Sequence, residues 1–152
     1  METDNLIHPP KEESLEEKFA RERIEWSQKV SDMSAKMKNI YEIPELMTYL
    51  YTERQRAAEY YHYLVSLMIK LNKKYNAEYA IKQDYYTNKV QVRYPNESVK
   101  HNRILVDLGD LFEKRAMIDN HSKYINQTIT SIDAIIYAIS RRVEIENLAR
   151  GK

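Results

Sequence analysis

From Ser14 onward the chain repeats apolar residues at helical spacing over most of its length. Phe19, Trp26, Val30, Met33, Met37 and Ile40 fall mostly three, four or seven apart, with charged residues between them. That spacing places them on one stripe and predicts a first helix over about 15–40. Ser14 stands at its start with Glu17 three residues on, the arrangement of a capping box. Pro44 breaks or restarts the helix and suits a first turn. A second helix is predicted over about 45–86, on Leu46, Leu50, Ala57, Tyr60, Leu64, Leu67, Leu71 and Tyr75. Roughly 40 residues exceeds an ordinary globular helix and points to bundle or coiled-coil packing. A kink is expected near 71–76.

Residues 87–101 change texture. Val90-Gln91-Val92-Arg93-Tyr94 alternates as a strand would, and Pro95-Asn96 makes a turn. This stretch reads as a basic loop or short β-arm. The sharpest pattern follows. In alternating steps of four and three come Ile104, Leu108, Leu111, Arg115, Ile118, Ser122, Ile125, Ile129, Ile132, Ile136, Ile139 and Val143. This is a heptad seam, and the adjacent Ile135 widens it. Branched residues at both seam positions favour assemblies larger than a dimer. Gly109 costs about 1 kcal/mol against Ala without having to stop the helix. His121-Ser122 leaves two readings open, a continuous rod or a hairpin.

Three long amphipathic helices in 152 residues leave limited core to one chain, so the seam is expected to bury against other copies. Oligomerisation is assigned to Ile118, Ile125, Ile129, Ile132, Ile136, Ile139 and Val143. The expected fold is all-α, with long amphipathic helices in an oligomeric bundle or ring. Residues 1–13, with Pro9-Pro10 and polar flanks, are expected to form a flexible acidic tail. Residues 14–103 form a helical, basic, tyrosine-rich region, and residues 104–152 an oligomerisation region.

Composition removes several function classes. There are 2 Gly and 0 Cys. A phosphate-cradling glycine loop lacks its glycines, and disulfides, thiol chemistry and Cys-ligated zinc are excluded. The absence of Cys also fits a reducing compartment. No uncharged apolar run reaches the ~18 residues of a membrane span. The N-terminus, with Glu2 and Asp4 and no apolar core segment, does not read as a signal peptide. His8, His62, His101 and His121 lack metal-ligand spacing. Glu59-x-x-His62 is half of a di-iron helix signature with no second copy. No catalytic residue, metal or cofactor is expected, and the protein is read as a non-enzyme.

The formal net charge of +1 hides a gradient. Residues 1–17 hold six acidic groups and one basic, whereas residues 53–103 hold ten basic and five acidic. A polyanion would meet the middle of the chain. There are 13 Tyr against 2 Phe, and most of the Tyr lie in that middle stretch. A packed core would use more Leu and Phe, so some Tyr must share helix faces with Lys and Arg. Cations interleaved with rings suit single-stranded nucleic acid, since lysines neutralise phosphates and bases stack on rings at ~1–3 kcal/mol each. The candidate residues are Lys70, Lys73, Lys74, Tyr75, Tyr79, Lys82, Tyr85, Tyr86, Lys89 and Arg93. The bland account is that Tyr75 and Tyr79, four apart, simply pack a helix interface. The alternative function is accordingly an oligomeric helical scaffold or adaptor that binds only proteins.

The second half resembles the UvsY family of recombination mediators from T-even bacteriophages. The likeness is clearest at Ala80-Ile81-Lys82-Gln83-Asp84-Tyr85-Tyr86. It continues through Val106-Asp107, Ile132-Asp133-Ala134-Ile135, Ser140-Arg141-Arg142 and the chain end Leu148-Ala149-Arg150-Gly151-Lys152. The resemblance implies a small helical protein that forms ring-like homo-oligomers through its C-terminal helices and binds single-stranded DNA. It implies as partners a phage RecA-like recombinase and a phage single-strand-binding protein, in the cytoplasm of the infected bacterial host. No membrane contact is implied. The family's basic motif, by position, falls on Lys74 to Lys82. Here that window and its edge offer Lys73, Lys74 and Lys82 with no Arg, and Glu78 interrupts it.

Overall fold

The computed structural model describes residues 11–90, 94 and 96–151. These form four helices, α1 (Leu15–Lys36), α2 (Ile43–Asp84), α3 (Glu97–Asp107) and α4 (Gly109–Arg150), with no strand among the described residues. The fold is all-α. No helix among the described residues is long and apolar enough to cross a membrane.

α1 starts where the sequence predicts. The Ser14 side chain accepts from the Glu17 backbone N–H, and the Glu17 carboxylate accepts from the Ser14 backbone N–H. A single 3₁₀ turn (Ile40–Glu42) reverses the chain, and Pro44 sits in the first turn of α2. α2 runs unbroken through 71–76 and closes in a π-helical turn (Tyr85–Lys89). The predicted β-arm falls largely on residues 91–93 and 95, which lie outside the described residues, as do residues 1–10 of the predicted tail.

α2 and α4, each 42 residues and so about 63 Å long, lie antiparallel. Arg54 on α2 pairs with Asp133 on α4, and Asn72 accepts from Arg115. α1 runs beside them, antiparallel to α2: Lys29 meets Glu53, and Glu22 meets Tyr60. The core explains this alignment. Phe19, Trp26 and Met33 of α1 are buried, as are Ile43, Leu50, Ala57 and Leu64 of α2 and Ile118, Ile125, Ile132 and Ile139 of α4. Each set recurs every seven residues, so each keeps to one narrow face of its helix, turned toward the common axis.

Much of the predicted seam is thus covered from within the chain, while Val143 at its end stays exposed. Ile118, Ile125, Ile132 and Ile139 are buried, and Ile129 and Ile136 pack against the same core. α1 and α2 bring matching columns of their own. α4 also buries a second column, His121, Thr128 and Ile135, because it has neighbours on two sides. His121-Ser122 makes no hairpin. The Ser122 and Thr128 hydroxyls donate back to the Asp119 and Tyr124 carbonyls of their own helix, which satisfies them without breaking it. The seam does break at Leu108–Gly109, which separates α3 from α4. α3 covers the far end of α2, beyond the reach of α1.

Candidate nucleic-acid interface

Seven of the ten residues assigned to single-stranded DNA fall into two groups. Tyr79, Lys82, Tyr86 and Lys89 are committed near the α2–α3 junction. The Tyr79 hydroxyl lies 2.6 Å from Nδ1 of His101. Lys82 pairs with Asp107 at 3.7 Å and Lys89 with Asp84 at 3.4 Å. Hydrogen bonds from Asn88 and Lys89 hold the Asp84 carboxyl below its ordinary range. Tyr86 donates to Asp107 and packs edge-on against Tyr85 and Tyr94; its bond to the carboxylate raises the phenol's pKa. Tyr75 lies beneath the Arg115 guanidinium, 4.5 Å from ring centre to Cζ. Tyr85 remains 46% exposed. Arg93 lies outside the described residues.

Lys70, Lys73 and Lys74 form the second group, all exposed on α2. Lys70 and Lys74 rim a cavity of about 310 Å³, together with Lys18 from α1 and Lys114 from α4. Four lysines thus converge from three helices. The lysines that form ion pairs among the described residues are Lys29, Lys82, Lys89, Lys100 and Lys123. The four around this cavity and the neighbouring Lys73 are not among them.

The cavity floor is apolar and aromatic, with Phe19, Leu64, Leu67 and Ile118 beside Tyr60, and the exposed Tyr63 stands at its mouth. Behind it lies a buried polar cluster. The His121 ring stacks on Phe19 at 4.0 Å and lies 2.8 Å from a Glu22 carboxylate oxygen through Nε2. The same oxygen accepts from Tyr60. Tyr124 donates to the Arg23 carbonyl at 2.9 Å. His121 Nδ1 is buried without a hydrogen-bond partner, which suits a neutral ring carrying its proton on Nε2. Burial pushes the imidazole below its ordinary pKa, with Glu22 opposing. Burial and then the Glu22 carboxylate push the Tyr60 hydroxyl up. These groups contact Phe19 and Tyr60 from behind the cavity floor.

Sequence reasoning missed Lys18, Lys114, Tyr60 and Tyr63. Lys18 and Lys114 sit in stretches of near-neutral charge. The usable signal was register. Lys18 adjoins Phe19, Tyr63 adjoins Leu64, and Lys114 is one turn before Ile118, so aligning the three seven-residue columns brings them together. Glu59 and His62, the half di-iron signature, are exposed, with Glu59 accepting from Gln55. Among the described residues no group of three or more His, Asp or Glu has metal-site geometry. The arrangement offers a cationic rim around an aromatic floor, chemistry for holding a polyanion. Comparison with protein-family models, with curated proteins and with solved structures found no match for this chain.

Proposed function

We propose that the protein binds single-stranded DNA without catalysis and serves as a recombination mediator of the kind its second half resembles. The observation that carries this reading is the convergence of Lys18, Lys70, Lys74 and Lys114 around one aromatic-floored cavity. Phosphates gain from the lysines, and unpaired bases gain from the rings. The resemblance adds the partners: a phage RecA-like recombinase to be loaded and a phage single-strand-binding protein to be displaced, in the infected host's cytoplasm. The binding unit in this reading is a ring-like homo-oligomer, in which modest sites gain affinity by repetition. Since Ile118, Ile125, Ile132 and Ile139 are used within the chain, copies meet at the end of the seam, where α4 outruns α1. There Val143, Ile145 and Leu148 are 36%, 59% and 67% exposed.

Fluorescence anisotropy of a labelled ~30-nucleotide strand at low and physiological salt tests the reading. Affinity falls steeply with salt, with a log–log slope of about 0.7 for each phosphate neutralised. Replacing Lys18, Lys70, Lys74 and Lys114 by Ala flattens the slope. Replacing Lys82 and Lys89, already paired with Asp107 and Asp84, changes it less. An unaltered slope in the fourfold variant refutes the site. A protein that binds no oligonucleotide at any salt is better read as a protein scaffold.

A further inference from the structure

We infer that the lysine-rimmed cavity takes one unpaired nucleobase per chain, with the flanking phosphates on the lysines. This rests on the nucleic-acid reading and deepens it. At about 310 Å³ the cavity is at the small end of ligand pockets, the size for a single ring system rather than a run of bases. Its ends differ in chemistry as a nucleotide does. The floor is apolar and aromatic, and the charges stand at the rim. Lys70 and Lys74 are one turn apart on α2, and Lys18 and Lys114 stand on the two other helices lining the cavity. A backbone passing over the opening therefore meets cations as it approaches and as it leaves.

Tyr63 supplies the stacking face. Tyr60 and Phe19 are held from behind by Glu22 and His121. Tyr63 lies nearly parallel to Tyr60, at 18° and 6.3 Å between centroids, yet is 55% exposed. A half-exposed ring at the mouth of an apolar cavity ringed by lysines is placed to stack a base. Tyr75, Tyr79 and Tyr86 are instead occupied by Arg115, His101 and Asp107. The Tyr60 hydroxyl already serves Glu22, so the rings recognise a base face rather than a base identity. A duplex would have to unpair and unstack a base to fill the site, at a cost of a few kcal/mol. Single strands need not, which makes the cavity a means of telling the two apart.

The test compares the intact protein on two labelled 30-nucleotide strands of equal charge, one of ordinary thymidines and one fully abasic. The thymidine strand is expected to bind about tenfold or more tightly at matched salt, with the same salt slope. Tyr63→Ala removes most of that preference and leaves the abasic strand's affinity unchanged, whereas Tyr63→Phe keeps it. Equal affinity for both strands in the unaltered protein overturns the inference and leaves the phosphate-binding reading standing. Equal losses on both strands with Tyr63→Ala also overturn it, because the ring then acts through structure rather than through a base. Binding to neither strand overturns the nucleic-acid reading itself.

Discussion

At the scale of single residues, the informative groups are the buried polar ones. His121 is fully buried, stacked on Phe19, and faces Glu22, Lys18 and Arg23 from α1, Tyr60 from α2 and Tyr124 from its own helix. Burial lowers its pKa, so the folded state holds it neutral while the unfolded chain protonates near 6.5. The unfolded state therefore binds more protons as pH falls below that value. Stability is full above about pH 7 and declines as pH drops toward the depressed folded pKa, by ~1.4 kcal/mol for each unit of depression. Urea unfolding at pH 7.5 and 5.5 reads this directly, and His121→Asn reduces the difference. Equal pH responses in the two proteins would assign the effect to other groups. Glu53 is similarly buried, between Lys29 at 2.8 Å and Arg56 at 2.9 Å. Neither position was legible as a core site in the sequence. A lone polar residue in a heptad column has no periodic signature of its own, and the partners that satisfy it come from other helices.

At the scale of elements, local chemistry was readable and joints were not. The capping box at Ser14 and the proline at the start of α2 both hold in the structure, because each depends on neighbours within four residues. The division at Leu108–Gly109 was not read. Gly109 permits either a continuous or a broken helix, and the docking of α3 on the end of α2 decides it. Arg142 shows the same dependence on tertiary context. Its guanidinium donates to the Met37 and Lys38 carbonyls at 2.7 and 3.1 Å, satisfying acceptors left open where α1 ends. The sequence shows an Arg on a polar helix face; the structure shows a latch from α4 to the end of α1. Arg142→Ala is expected to cost about 1–2 kcal/mol, measured by denaturant unfolding. Arg141→Ala, which breaks only an exposed pair with Glu144, costs within ~0.5 kcal/mol. Equal costs would mean that the α1 terminus does not depend on the latch.

At the scale of the molecule, the two ends of the bundle differ in chemistry. One end carries the lysine-rimmed cavity among α1, α2 and α4. The other carries an apolar groove of about 860 Å³ where Ile43 and Met47 of α2 face Ile139, Val143 and Leu148 of α4. All-α architecture followed from periodicity alone, but the use of the Ile seam did not. A heptad stripe specifies that something apolar must cover it, and does not say whether the cover comes from the same chain. This distinction separates two substitutions that the sequence would treat alike. Ile132 is buried in the shared core, so Ile132→Asp places an unpaired charge there and unfolds the chain. Leu148 is 67% exposed in the groove beyond α1, so Leu148→Asp leaves the helical content and thermal transition of the single chain intact. If copies assemble through the groove, Leu148→Asp lowers the mass seen in sedimentation at unchanged circular dichroism. If the mass stays that of the unaltered protein, assembly does not use this end, and the ring proposed for the mediator must close through another face. The cavity proposed to take a base lies at the opposite end of the bundle. Binding of a strand short enough to reach one chain should therefore survive Leu148→Asp, while the gain from repeated sites on a long strand should be lost.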